Sequence, residues 1–211
     1  MDVSAWLSLF KTGIAQTSII EWIAVIFSIA SVLLANRNNV LLYPTGIVST
    51  LIFIYLMGKP STGLYAEALL NFYYFIMSVY GWWRWQKNKE NENAIAITHN
   101  SKKDWLITIA IATIGWAVFY LLLSHFTDST VPAIDAFVSA TACAGMWLLA
   151  KHKVENWVLL NISNIVAIPL LVYKGLVLTS ALTVFLFIVA VLGYIRWSRL
   201  YELSHQKQQA A

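Results

Sequence analysis

Charge is what this chain has least of. Only 11% of its 211 residues are Asp, Glu, Lys or Arg, while 59% are hydrophobic. A soluble domain, in which about a quarter of the residues are charged, is excluded. Cysteine is nearly absent as well. The single Cys143 rules out an intrachain disulfide and has no ligand cluster around it, so it reads as a packing residue. No Gly-rich phosphate-cradling loop occurs, which excludes a nucleotide-driven motor within the chain. The histidines, His99, His125, His152 and His205, fall in predicted loops or the tail and form no ligand set, so neither a metal nor any other cofactor is expected. A membrane-embedded enzyme would want His, Asp or Cys clustered at one depth, and that cluster is missing too.

What the chain does have is apolar runs of spanning length. A hydrocarbon core of about 30 Å needs roughly 20 residues, fewer where the ends snorkel. Seven such runs are read, at about 20–35, 40–57, 65–85, 105–124, 133–150, 156–173 and 177–196. They must be helices, because lipid tolerates neither irregular backbone nor open sheet edges. Residues 1–17 are too polar for a further span. Trp6, Leu9, Phe10 and Ile14 share a face there, as in a short interfacial helix. Asp2 and the lack of an apolar h-region argue against a cleaved signal peptide.

Basic residues set the orientation. With the N-terminus outside, the inner segments hold Arg37, Arg84, Lys87, Lys89, Lys102, Lys103, Lys151, Lys153, Arg196, Arg199 and Lys207, against Lys11, Lys59 and Lys174 outside. The expectation is a multi-pass protein of a bacterial inner membrane, N-terminus outside, with residues 198–211 as a cytoplasmic tail. The same basic clusters need no nucleic acid to explain them.

The chain also repeats itself. Gly63-Leu64 and Gly175-Leu176, Gly81 and Gly193, Arg84 and Arg196, and Trp85 and Trp197 share an offset of 112 residues, and "LLAN" at Leu33 matches "LLAK" at Leu148 at 115. The difference is placed in the "GKPST" loop. Two three-helix units, 20–85 and 133–197, can point the same way only if an odd helix separates them, and 105–124 is that inverter. The fold class is therefore an all-α integral membrane protein with seven transmembrane helices in a 3+1+3 order of parallel repeats. Such repeats suit a transporter with its site near mid-membrane. Trp82, Trp83, Trp85 and Trp197 read as interfacial anchors.

Binding chemistry is sought on polar residues within the spans. Glu67, Asn71, Tyr74 and Ser78 fall on one face of the third span, and Trp157, Asn161 and Asn164 on one face of the sixth. Polar side chains also glue helices together, but stripes in both repeats point to a lined cavity. Glu21, Glu67 and Asp135 lie near the outer ends of their spans with no basic neighbour within a turn, which suggests an acidic vestibule for a cation.

The segments "EWIAV", "YPTGIVSTLIFIYL", "GLYAEALLNFYYFIMSVYGWWRW" and "VENWVLLNISNIVAIPLLVYKG" resemble the Pnu vitamin-precursor transporters over about residues 20–198. The resemblance implies a full-length SWEET-like fold. It also implies facilitated diffusion of an unphosphorylated vitamin, nicotinamide riboside or, in close relatives, thiamine, trapped by a cytoplasmic kinase. Trp157 and Asn164 match the family's binding motif on the sixth helix, and Asn71 with Tyr74 match the lining region of the third. Where nicotinamide riboside members carry Trp-x-x-Trp, this chain has Trp157 and Leu160, and Tyr43 or Trp147 would supply the second aromatic. Two other readings stay open, a thiamine carrier and an ion-coupled porter. Homo-oligomerisation is compatible with each of them.

Overall fold

The computed structural model describes residues 3–59, 64–90 and 96–209. Gly63 and most of the "GKPST" loop lie outside the described residues, as do the side chains of Trp6, Lys89 and Lys207. Eight helices follow in order among the described residues: α1 (Val3–Gln16), α2 (Ile19–Asn36), α3 (Leu42–Met57), α4 (Tyr65–Glu90), α5 (Lys102–Phe126), α6 (Pro132–Ala150), α7 (Asn156–Tyr173) and α8 (Val177–Gln209). Of these, α2, α5, α6, α7 and α8 are long and apolar enough to cross a membrane, and α3 is a shorter apolar helix. The tyrosines, tryptophans and terminal charges of α4 lower its mean hydropathy.

Local signals set the helix ends. Ser18 accepts the Glu21 amide to cap α2, and Ser101 and Asp104 form a reciprocal capping box on α5. Pro132 opens α6. Residues in the left-handed region end α2 and α6, Asn38 at φ 50° and His152 at φ 57°. In both, the next amide reaches back to the carbonyl five residues earlier, Asn39 to Leu34 and Lys153 to Leu148, each at 3.0 Å.

Those two ends are copies of one another, and the likeness runs through the helices. Ser49 donates to Ala24 O and Ser163 to Val138 O, both at 2.9 Å and both reaching 25 residues back. These pairs, like Asn38 and His152, stand 114 residues apart, one fewer than the "LLAN"/"LLAK" match suggests. In the third helix of each triplet the offset is 112, and it is pinned by glycine. A Cβ added at Gly81 would overlap the Tyr43 ring, and one at Gly193 would lie 2.6 Å from the Trp157 ring. Trp85 then meets Tyr43 edge-on at 6.4 Å, as Trp197 meets Trp157 at 5.6 Å. The twofold Gly-x-x-Arg-Trp of the sequence is therefore a packing device: glycine lets an aromatic ring lie against the helix, and tryptophan closes on the ring's edge.

Helices α2–α4 and α6–α8 pack as two triplets that meet through α4 against α6 and α2 against α8. Helix α5 lies on α6, and α1 lies on α8. Ala136, Ala140, Ala142, Ala144, Ala150, Gly145 and Cys143 of α6 are buried in the helix that packs against α4, α5 and α7, where small residues allow close approach. Large apolar side chains such as Leu106, Ile109, Ile114 and Leu121 point outward, as lipid requires.

Trp197 is not an interfacial anchor. It is fully buried and donates Nε1–H to Ala35 O at 3.1 Å, across from one triplet to the other. Trp82 and Trp85 are packed partly into the same core, while Trp83 is exposed with Lys87 over its ring.

Gly81→Ala and Gly193→Ala should each destabilise by about 1–3 kcal/mol, because an added methyl has nowhere to go. Gly115→Ala, whose new Cβ meets nothing nearer than 3.5 Å, should melt with the parent. Thermal unfolding in detergent reads the contrast, and equal melting of all three would mean that the rings are not held by the glycines.

Candidate functional site

A cavity of about 450 Å³ lies between the two triplets. Equivalent positions of the triplets face it in pairs, among them Tyr43 and Trp157, Gly46 and Leu160, Ser49 and Ser163, and Thr50 and Asn164. Glu67 and Asp135 line it from the first turns of α4 and α6. Tyr43 and Trp157 line it from the first turns of α3 and α7, at the opposite end. The two rings form a floor, each only 1% exposed.

Of the residues marked in the sequence, Glu67, Tyr74, Ser78, Asp135, Trp157, Asn164 and Tyr43 share this lining. Asn71, Asn161, Trp147 and Glu21 stand outside it. Asn71 turns back on its own helix, donating to Glu67 O at 2.9 Å, and also contacts the Met57 sulfur. Trp147 stacks on Tyr80 at 6.0 Å and joins α6 to α4. Asn161 is half-buried one turn beyond Trp157, and Glu21 sits in the first turn of α2, where the helix dipole favours an acid.

The vestibule charge also differs from the sequence reading. Asp135 has a basic partner after all, because Lys174 comes from the far end of α7 to donate to it at 2.6 Å, and Ser129 donates its hydroxyl at 2.5 Å. Glu67 has no ion-pair partner among the described residues, and its Oε2 is buried without a hydrogen-bond partner there. Tyr43 OH and Trp157 Nε1 are likewise buried without partners. Native structures leave few such atoms unsatisfied, so their position on a cavity wall marks them as groups for a guest or ordered water. No Lys, Arg or His lines the cavity among the described residues.

Sequence reasoning missed His152. It lies in the α6–α7 connection, 1% exposed, with its ring 5.1 Å from Trp85, 5.8 Å from Trp197 and 6.4 Å from Tyr43. Burial pushes its pKa down to about 4, and the nearby Arg84 guanidinium adds to that. The connection itself is clamped. Thr98 bridges His152 O and the Val154 amide, Glu155 accepts from His99 and the Asn100 amide, and Asp104 binds Lys151 and Lys153.

A lipid-facing helical bundle that encloses a small-molecule cavity between two similarly built triplets is the architecture of a membrane transporter. The sequence profile of the nicotinamide mononucleotide transporter family matches residues 18–199, and the chain belongs to that family. It is 21% identical over 207 residues to the nicotinamide riboside transporter PnuC of Escherichia coli (strain K12), covering 84% of this chain and 85% of that one. To the protein of the same name from Neisseria mucosa it is 23% identical over 219 residues, covering 93% and 81%. A crystal structure of the vitamin B3 transporter PnuC superposes with a TM-score of 0.67 at 22% identity, over 96% of this chain and 93% of that one, so the two share a fold.

Because neutral His152 has its pKa lowered by folding, it favours the folded state fully above its ordinary value of about 6.5. That contribution is lost as pH falls towards 4. Melting temperature in detergent should drop over that window. His152→Phe should flatten the drop, and an unchanged pH profile in this variant would show that the buried imidazole is not its source.

Proposed function

We propose that the chain carries an unphosphorylated, positively charged vitamin precursor, nicotinamide riboside foremost, into the cell by facilitated diffusion, and that a cytoplasmic kinase traps the product. The observation that carries this reading is the charge of the cavity: among the described residues Glu67 has no ion-pair partner, Asp135 is neutralised by Lys174, and no basic residue lines the wall. A pyridinium cation is drawn in past Glu67 at one end of the cavity and can then settle towards the aromatic floor of Tyr43 and Trp157 at the other. Asn164 and Ser78 offer hydrogen bonds to a carboxamide or ribose. The family's description names the mononucleotide, whereas the curated relatives are named for the riboside. The cavity favours the riboside, because a phosphate dianion would meet Glu67 without an Arg or a Lys among the described lining residues to hold it.

Topology belongs to the same proposal. Helices α2–α4 and α6–α8 are the parallel repeats, α5 is the inverter, and together they make seven spans in the 3+1+3, SWEET-like order. Helix α1 lies in the interface. The basic residues put the N-terminus outside and the end of α8 in the cytoplasm, so Glu67 marks the outer mouth and the Tyr43–Trp157 floor the inner end.

Thiamine is the second reading, favoured by one observation. Leu160 fills the place of a second α7 aromatic and packs onto Gly145, where an added Cβ would sit 2.9 Å from it. The site then depends on Tyr43 for its second ring. An ion-coupled porter is the weaker alternative, since among the described residues no Asp, Glu, Lys, Arg or His lines the middle of the cavity.

Asn164→Ala and Glu67→Gln should each weaken nicotinamide riboside binding by about 1–3 kcal/mol, tenfold or more, with the fold intact, and Trp157→Ala should weaken it while also lowering the melting temperature, because its ring packs on Gly193 and Trp197. Titration in detergent measures this, and unchanged affinity in all three would remove the site from this cavity. In liposomes, uptake should stop at the outside concentration whatever proton or sodium gradient is imposed. Accumulation above it without an internal kinase would contradict facilitated diffusion.

A further inference from the structure

Beneath the cavity floor lies a second layer that binding does not use. His152 is wedged between Trp85 and Trp197, its ring parallel to that of Trp197 within 11°. Those tryptophans are counterparts in the two triplets, so a side chain touching both stands where the triplets meet, in line with the floor rings of Tyr43 and Trp157. The layer is tightly closed, with Trp197, Val154, Asn156 and His152 all at most 1% exposed. Yet it is poorly satisfied. Asn156 Oδ1 and the His152 ring nitrogens make no well-formed hydrogen bond there, the imidazole having only the Ala150 carbonyl nearby, and Tyr43 OH and Trp157 Nε1 of the floor above are buried without partners as well.

A permanent seal has no use for these atoms. Each orphaned group costs about 1–3 kcal/mol, and phenyl or aliphatic side chains would fill the same space without that cost. Three of them on two adjoining side chains, directly below the floor, make sense if the layer spends part of its time open and wet. The backbone of the connection is held meanwhile by Thr98, Glu155 and Asp104, so opening falls to the side chains and to the parting of the triplets.

We propose that His152 is the plug of an exit constriction, through which the substrate leaves the cavity towards the cytoplasm as Trp85 and Trp197 separate. In the open state its imidazole nitrogens and the Asn156 carbonyl face water or the departing substrate. The proposal rests on the transport reading above and adds the route of release.

Thiol accessibility tests it without assuming a substrate. In a Cys143→Ala background, His152→Cys is made, with Asn156→Cys as a second position and Ala144→Cys, buried in α6 away from the layer, as control. A membrane-impermeant methanethiosulfonate cation is applied to inside-out vesicles. Cysteine at 152 or 156 should react at least tenfold faster than at 144, although all three positions are closed in this structure, and the labelled protein should lose at least nine-tenths of its uptake. Reaction at neither 152 nor 156 above the level at 144 overturns the proposal. His152→Phe gives an independent reading, with initial uptake expected to fall at least fivefold while affinity stays within twofold. Parent-level uptake in this variant overturns the proposal as well. Failure of the transport reading would instead show as no uptake of nicotinamide riboside by the unmodified chain.

Discussion

Two contacts between a glycine and an aromatic ring hold the architecture in place. Gly81 against Tyr43 and Gly193 against Trp157 bring the third helix of each triplet so close to the second that the rings cannot swing away. With the rings fixed, Trp85 and Trp197 close on their edges, and Trp197 ties its triplet to the other through Ala35 O. The cavity floor, the layer below it and the junction of the two halves all follow from this close approach. Any side chain larger than hydrogen at either glycine would push the floor out of position, since close-packed interiors do not absorb a misplaced methylene.

Electrostatics decide what such a cavity welcomes. Desolvated charges at membrane depth are costly, so each one kept there has a partner or a task. Asp135 has its partner in Lys174, and Asp104, at the start of α5, has two in Lys151 and Lys153. Among the described residues Glu67 has none. In the proposed reading, that acid, with the few hydroxyls, the one amide and the aromatic floor of an otherwise apolar lining, complements a flat cation with hydrogen-bonding groups and disfavours the same molecule once phosphorylated.

The sequence made the helices legible, because spanning runs of apolar residues and the 112-residue echo of Gly81 and Arg84 depend only on local composition. Trp157, Asn164, Glu67, Tyr74 and Ser78 could be marked because helical spacing puts them on inward faces. Contacts between distant segments were not legible. Lys174 meets Asp135 from 39 residues away, and that pairing removes one of the three vestibule charges a local reading assigns. Asn71 sits on the expected stripe but turns to its own backbone, as short polar side chains in helices often do. His152 reads as a loop histidine until the fold brings Trp85 and Trp197 to its two sides. The Gly-x-x-Arg-Trp motif hid its purpose for the same reason, since the rings that need the glycines lie on the neighbouring helix.

The central claim is that cavity charge selects the unphosphorylated vitamin. It is tested most directly by titrating one purified sample, in detergent at fixed salt, with nicotinamide riboside and with its 5′-monophosphate. The riboside is predicted to bind at least tenfold more tightly, about 1.4 kcal/mol. Equal or tighter binding of the phosphate ester would contradict it.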